Sequence, residues 1–277
     1  MSRRVANARS ALFVPGNRPD RFAKAGDSGA DIVILDLEDA VAGDAKDFAR
    51  TAVGEYLDTG VEVIVGINGS DTDWFADDVA ALENRRCAVM MPKAHSAAQL
   101  DEVVAALPAN TPLIALIETA RGISDAAEIC GVESVVRAAF GSIDLCAELG
   151  IDPDAHQALH YARSAVVIGS VAAGCAAPLD GVTTDLRPDG RIVEDLAQAA
   201  SLGFTGKLCI HPTQVGAANE HFSPSAQELD WARRVVSEAS GGSACVIDGK
   251  MVDKPVVDRA RGILARVTAR QRSTGTG

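Results

Sequence analysis

Positive charge is in short supply in this chain of 277 residues: 26 Lys and Arg stand against 38 Asp and Glu, a formal net charge of −12. A duplex-binding surface gathers Lys and Arg to release counterions, so the balance excludes nucleic acid as a partner. It argues equally against an anionic membrane surface. Aromatic residues are scarce at 4%, and Ala, Val, Gly and Leu carry the apolar load, which suits helices packed closely on a parallel sheet. No CxxC pair occurs among Cys87, Cys130, Cys146, Cys175, Cys209 and Cys245. Scattered through apolar runs, they read as small buried hydrophobes in a reducing compartment, not as a disulfide framework or a zinc site. Long hydrophobic runs are missing too. The run at 11–14, after the basic start MSRRVANARS, stops at Pro15-Gly16 and is too short for a signal-peptide core. No segment approaches the length of a membrane span. The expectation is a cytoplasmic protein with no membrane partner.

What the sequence does contain is a regular alternation. Short apolar, β-branched runs lie at 11–14, 31–36, 61–68, 87–92, 113–118, 138–142, 179–182 and 207–211. Between them, segments such as 73–82, 96–106, 156–173 and 192–202 carry apolar residues at three- and four-residue spacing, the period of a helix with one buried face. Eight continuous apolar strands, each followed by a helix, predict a parallel sheet covered by helices. Right-handed crossovers repeated eight times close into a (β/α)8 TIM barrel. After the eighth strand the pattern changes to a helix at 228–239, a Gly241-Gly242-Ser243 break, a hairpin at 244–253 and a helix opened by Pro255. The expected organisation is a barrel over 1–240 with a C-terminal hairpin-plus-helix extension over 241–277, ending in a disordered tail, QRSTGTG.

Chemistry in such barrels sits at the carboxyl ends of the strands. Strand two leads into DLEDAV, strand four into PKAHS, strand five into ETARG and strand six into GSIDL, so acids end several adjacent strands. Glu118 follows LIALI and either faces the barrel mouth or caps the next helix; Asp144 follows FGSI one strand on. Two carboxylates from neighbouring strand ends can share a hard divalent cation, and without a histidine-rich cluster they favour magnesium over zinc. Asp36, Glu38 and Asp39 form a second acidic group, and the acids keep Lys93 protonated, against a Schiff-base role. Arg18, Arg21 and Lys24 make a basic knot at the first turn, read either as a phosphate site or as solvated helix charge.

The blocks LFVPGNRPDRFAKA, VILDLEDAV, MMPKAHSAAQL, LIALIETARG, FGSIDLCAELG, GFTGKLCIHPTQV and GKMVDKPVVDRAR, in this order over nearly the whole chain, resemble the citrate lyase beta-subunit-like group of the HpcH/HpaI aldolase superfamily. The resemblance implies Glu118 and Asp144 as Mg²⁺ ligands, and Arg18, Arg21 and Lys24 as the region meeting coenzyme A phosphates. It implies Asp253 as an acid/base residue reaching a neighbouring subunit's site, and a homo-oligomer, trimer or hexamer. The implied reaction is cleavage of a 3-hydroxyacyl-CoA thioester into an acyl-CoA and a 2-oxo acid, or the reverse condensation. One departure stands out. Relatives carry arginine two residues before the strand-three asparagine; here the segment is Gly66-Ile67-Asn68. Losing an oxyanion donor costs about 10²–10³ in turnover; either another cation such as Arg121 takes over, the substrate differs, or the protein is a poor lyase. Two alternatives stay open: a CoA-independent, metal-dependent aldolase for small hydroxy-oxo acids, and a divergent low-activity or non-enzymatic family member.

Overall fold

All eight expected strands form, and they pair in chain order. In the computed structural model, which describes residues 1–187, 190–239, 245–247 and 249–274, they are β1 (Ser10–Pro15), β2 (Ile32–Asp36), β3 (Ile64–Gly66), β4 (Ala88–Met91), β5 (Leu113–Ile117), β6 (Val135–Phe140), β7 (Ala176–Asp180) and β8 (Gly206–Cys209). Every neighbouring pair is parallel, and β8 returns to β1 through Ser10↔Lys207, Ala11↔Leu208 and Leu12↔Cys209, closing the barrel. Parallel strands buried on both faces need continuous apolar sequence. β2 and β5, IVILD and LIALI, are buried at every position. The barrel interior is filled by Ala11, Ile34, Ile64, Met90, Ile114, Leu116, Leu179 and Leu208.

Two strands begin three residues ahead of their apolar runs. β6 starts at Val135, ahead of the run at 138, because Arg137 is accommodated inside the barrel. Its guanidinium donates to Val5 O, Ala8 O, Ala177 O and Thr205 Oγ1 at 2.6–2.9 Å, so the fully buried charge is held by four acceptors without a carboxylate among them. β7 starts at Ala176, ahead of 179, although Pro178 removes one ladder donor.

The chain divides into two compact units, Met1–Glu220 and His221–Gly277. The second begins earlier than the expected boundary at 240, and the reason is a helix. Ala226–Glu238 is opened by a capping box between Ser225 and Glu228, and it buries Ala232 and Val235 with Ala260 and Ile263 of the helix Lys254–Thr274. The hairpin β9 (Cys245–Ile247) and β10 (Lys250–Val252) adds Ile247 and Val252 to the same core. The Gly241-Gly242-Ser243 break lies outside the described residues. The last helix continues to Thr274, into the segment expected to be disordered; residues 275–277 lie outside the described residues. No helix of the described residues is long and apolar enough to cross a membrane.

Candidate functional site

The carboxyl ends of the strands surround a cavity of about 360 Å³. Its floor is apolar, with Phe13, Met90, Leu116, Phe140 and Leu208, and its ionisable lining side chains are all acids: Asp36, Glu38, Asp39, Glu118 and Asp144. Strand ends place them, since Asp36 is the last residue of β2, Glu118 follows β5, and Asp144 is in the first turn of the helix Ser142–Leu149 after β6.

Glu118 is free to face this cavity because a neighbour does the capping. Thr119 is the N-cap of the helix Ala120–Ser124, its hydroxyl accepting from Gly122 N–H at 3.0 Å. Glu118 Oε1 instead accepts the backbone N–H of Lys93 at 2.9 Å. Lys93 adopts a left-handed φ of 50°, uncommon for a side-chain-bearing residue, and that turn aims its N–H at the carboxylate. On the other side, Gly141 is required by proximity: a Cβ there would lie 2.3 Å from both Glu118 Cβ and Oε2. Glu118 is 3% exposed. Burial first, then the charges of Asp144 and Glu38, push its carboxyl up to about 8.

Burial likewise raises Glu38, against the Lys93 ammonium that it contacts directly. Burial alone would pull Lys93 down, but the hydrogen bond and charge of Glu38, with Asp39 and Glu118 behind it, hold it above the usual ammonium range. A lysine so protonated is an electrostatic partner of the acids and a poor amine nucleophile, as its sequence context implied.

The space beside Gly66 is filled by Asp36. A Cβ at position 66 would lie 2.9 Å from Asp36 Oδ1. Asp36 accepts N–H from Glu38 and Ala40, both at 3.1 Å, and burial raises its carboxyl. Arg121 does not replace the missing arginine. Its side chain is 72% exposed, lies 3.6 Å from Asp125 and is absent from the cavity lining, which contains no Lys or Arg among the described residues.

The basic knot sits at the same end of the barrel, just after β1, but outside the lining. Arg18 is engaged by Asp20 through two hydrogen bonds of 2.8 and 2.9 Å, while Arg21 and Lys24 are exposed. Asp253 belongs to the second unit, between β10 and the last helix, where Oδ1 lies 3.5 Å from Val256 N.

Sequence reasoning missed Lys46. It opens a helix (Lys46–Leu57) and so reads as a solvated helix charge, yet it is 5% exposed. Its ammonium ties Glu38 O and Asn68 Oδ1, both at 2.7 Å, to the Leu37 carbonyl, fixing the loop that carries the β2 acids. Only an acceptor cluster assembled from β2 and β3 reveals that role.

Oxygen donors gathered around a buried carboxyl, with repulsion among them, fit a hard divalent cation. Among the described residues no three His, Cys, Asp or Glu form a complete metal cage, so a cation here would keep positions for water or substrate oxygens.

Known proteins bear on this arrangement. A citrate lyase subunit beta-like protein of Mycobacterium tuberculosis is 39% identical over 263 residues, 92% of this chain and 94% of its own length. A (3S)-malyl-CoA thioesterase of Cereibacter sphaeroides is 36% identical over 273 residues, covering 94% of this chain and 95% of its own. The crystal structure of CitE from Mycobacterium tuberculosis in complex with magnesium, acetoacetate and coenzyme A superposes with a TM-score of 0.81 at 37% identity, covering 96% of this chain and 99% of that one. The pattern of the HpcH/HpaI aldolase/citrate lyase family matches residues 9–212, the whole span that builds the barrel and its acidic mouth, and the chain belongs to that family.

Proposed function

We propose that the protein is a magnesium-dependent carbon–carbon lyase that cleaves, or in reverse forms, a 3-hydroxyacyl-CoA thioester, yielding an acyl-CoA and a 2-oxo acid. The observation that carries this reading is the convergence of Glu118 and Asp144 on one cavity at the strand carboxyl ends. Its support from outside the chain is the magnesium, acetoacetate and coenzyme A held by the Mycobacterium tuberculosis relative.

In this reading Glu118 and Asp144 hold Mg²⁺. Bound there, the ion lowers the pKa of the substrate hydroxyl and stabilises charge on the departing oxo acid. Lys93 N–H and the close approach permitted by Gly141 keep Glu118 in one orientation, so the ligand is preorganised. The apolar floor takes the hydrocarbon part of the substrate and excludes water from the thioester carbon. Arg18, Arg21 and Lys24 bind the coenzyme A phosphates outside the cavity. As the bond between the α-carbon and the hydroxyl-bearing carbon breaks, the substrate hydroxyl loses its proton to solvent, and Asp253 of a second copy, within a trimer or hexamer, gives a proton to the α-carbon of the acyl-CoA enolate.

The test is incubation with malyl-, citramalyl- and citryl-CoA, with and without Mg²⁺, while oxo acid release is followed. Cleavage that requires Mg²⁺ is the expected result. Turnover of free hydroxy-oxo acids alone would replace this reading with the CoA-independent aldolase.

Among the described residues the cavity lining holds no Lys or Arg, which favours a second reading, a slow lyase. It makes a specific prediction: Gly66→Arg, whose side chain would start beside the Asp36 carboxylate, is expected to raise kcat on the best thioester by about 10²-fold. An unchanged or lower kcat in a folded variant would show that this cavity does not need the arginine.

A further inference from the structure

Asp78 sits in the first turn of the helix Phe75–Ala81, next to the exposed Asp77, yet its carboxylate is fully buried. It does not line the acidic cavity. Two neighbours share its oxygens. Oδ1 accepts from Arg50 Nε at 2.9 Å, while Oδ2 accepts the backbone N–H and the side-chain Nδ2 of Asn68, at 2.8 and 2.6 Å.

This pairing chooses the direction of the Asn68 amide. A side-chain amide donates at one end and accepts at the other, so a partner at either end fixes both. A carboxylate only accepts, and together with Leu37 O at 3.0 Å it claims the Nδ2 end of Asn68. Oδ1 is thereby turned to the Lys46 ammonium, which donates to it at 2.7 Å. Reversed, the amide would turn its N–H groups on the ammonium and its oxygen on the carboxylate, leaving buried donors and acceptors unpaired.

Lys46 carries that orientation towards the cavity. Its ammonium also donates to the Leu37 and Glu38 carbonyls, at 2.5 and 2.7 Å. The two Asp36 oxygens hold the same loop through the N–H groups of Glu38 and Ala40. So fixed, Glu38 presents its carboxylate to the Lys93 ammonium, and the Lys93 N–H donates to Glu118 at 2.9 Å. A series of hydrogen bonds and ion pairs, continued through the Glu38 and Lys93 residues themselves, thus runs from Asp78 to Glu118. Each member is oriented by the one before it, so loss of a remote member loosens the last.

We propose that Asp78 is a positioning residue for the metal site: by fixing the Asn68 amide it holds, through Lys46, the loop that presents Glu38 to Lys93, and so keeps Glu118 in its orientation. Its role rests on the reading of Glu118 as a metal ligand. Asp78 itself touches neither the ion nor the substrate.

The test is calorimetric Mg²⁺ titration of the whole protein, each variant held well below its melting temperature. Asp78→Ala is expected to weaken Mg²⁺ binding about tenfold. Asp78→Asn, which keeps an acceptor for Asn68, is expected to recover most of that loss. On a Lys46→Met background, Asp78→Ala is expected to cost nothing further, because the path is already cut. Equal Mg²⁺ affinity in wild type and Asp78→Ala would overturn the positioning role, as would losses that simply add on the Lys46→Met background. A wild-type protein that binds no Mg²⁺ would instead remove the metal reading, and this role with it. Should Asp78→Ala fail to fold, hydrogen exchange in the wild type decides: the Asn68 side-chain amide is expected to exchange as slowly as core backbone amides, and fast exchange would show that Asp78 does not hold it.

Discussion

Glu118→Gln is expected to lower kcat for thioester cleavage by about 10³-fold and to abolish measurable Mg²⁺ binding. The estimate follows from the loss of a metal-borne stabilisation of several kcal/mol, each 1.4 kcal/mol being a factor of about ten. Glutamine keeps the volume of the side chain and an oxygen that can accept the Lys93 N–H, so the fold has no reason to change. It also lacks the carboxyl that burial, Asp144 and Glu38 push up to about 8, so no buried charge can form there. The metal-free variant is therefore expected to melt at or above the temperature of the metal-free wild type, while catalysis falls. Calorimetric Mg²⁺ titration, steady-state kinetics and thermal unfolding separate these effects. Unchanged Mg²⁺ affinity would remove Glu118 from the metal site, whereas a lower melting point would mean that its carboxylate is structural.

The largest stability effect is expected at the end of β7. Asp180 is fully buried between Arg163 Nε at 2.9 Å and Lys207 Nζ at 3.1 Å, and Lys207 also reaches Gly181 O at 2.6 Å. Arg163 in turn lies over the ring of Phe140, part of the cavity floor, at 5.2 Å. Asp180→Ala leaves two buried cations without their shared counter-charge, and breaking such a group costs about 3–5 kcal/mol. For a unit of this size that corresponds to a melting point lower by roughly 6–20 °C. Burial works to raise the Asp180 carboxyl, but Lys207 and Arg163 outweigh it and hold it below the usual carboxylate range. A carboxyl depressed by folding stabilises fully above its unfolded value and loses that contribution as pH falls through the folded one. The gap between wild type and variant is thus expected to be constant near neutrality and to close in strong acid. Thermal unfolding across pH measures this, and a gap under about 2 °C at pH 7 would contradict the assigned role of the triad.

The fold was legible because its signal is local. A buried parallel strand must be apolar at nearly every position, so runs such as LIALI and IVILD announce themselves, and the helical period fills the intervals. Where a strand began three residues ahead of its run, a single residue obscured it: Arg137 in β6 and Pro178 in β7; the run at 61–68, by contrast, pairs only over Ile64–Gly66. The acids were legible for a related reason, since a residue ending a barrel strand has few directions in which to face. Which of Glu118 and Thr119 caps the following helix was not legible, because both follow the strand and only the hydrogen bond to Gly122 decides it.

By itself the sequence determined the barrel, the order of its strands, the family, and the positions of Glu118 and Asp144 at the ends of adjacent strands. The tertiary structure decided what meets what across the chain. It put Asp36 beside Gly66, left Arg121 in solvent and buried Lys46 among carbonyls. Those outcomes depend on contacts between residues far apart in sequence, made where strands and helices close around a common axis. Hydrophobic periodicity places each element, but it carries no term for the partner that a polar side chain finds once the barrel is closed.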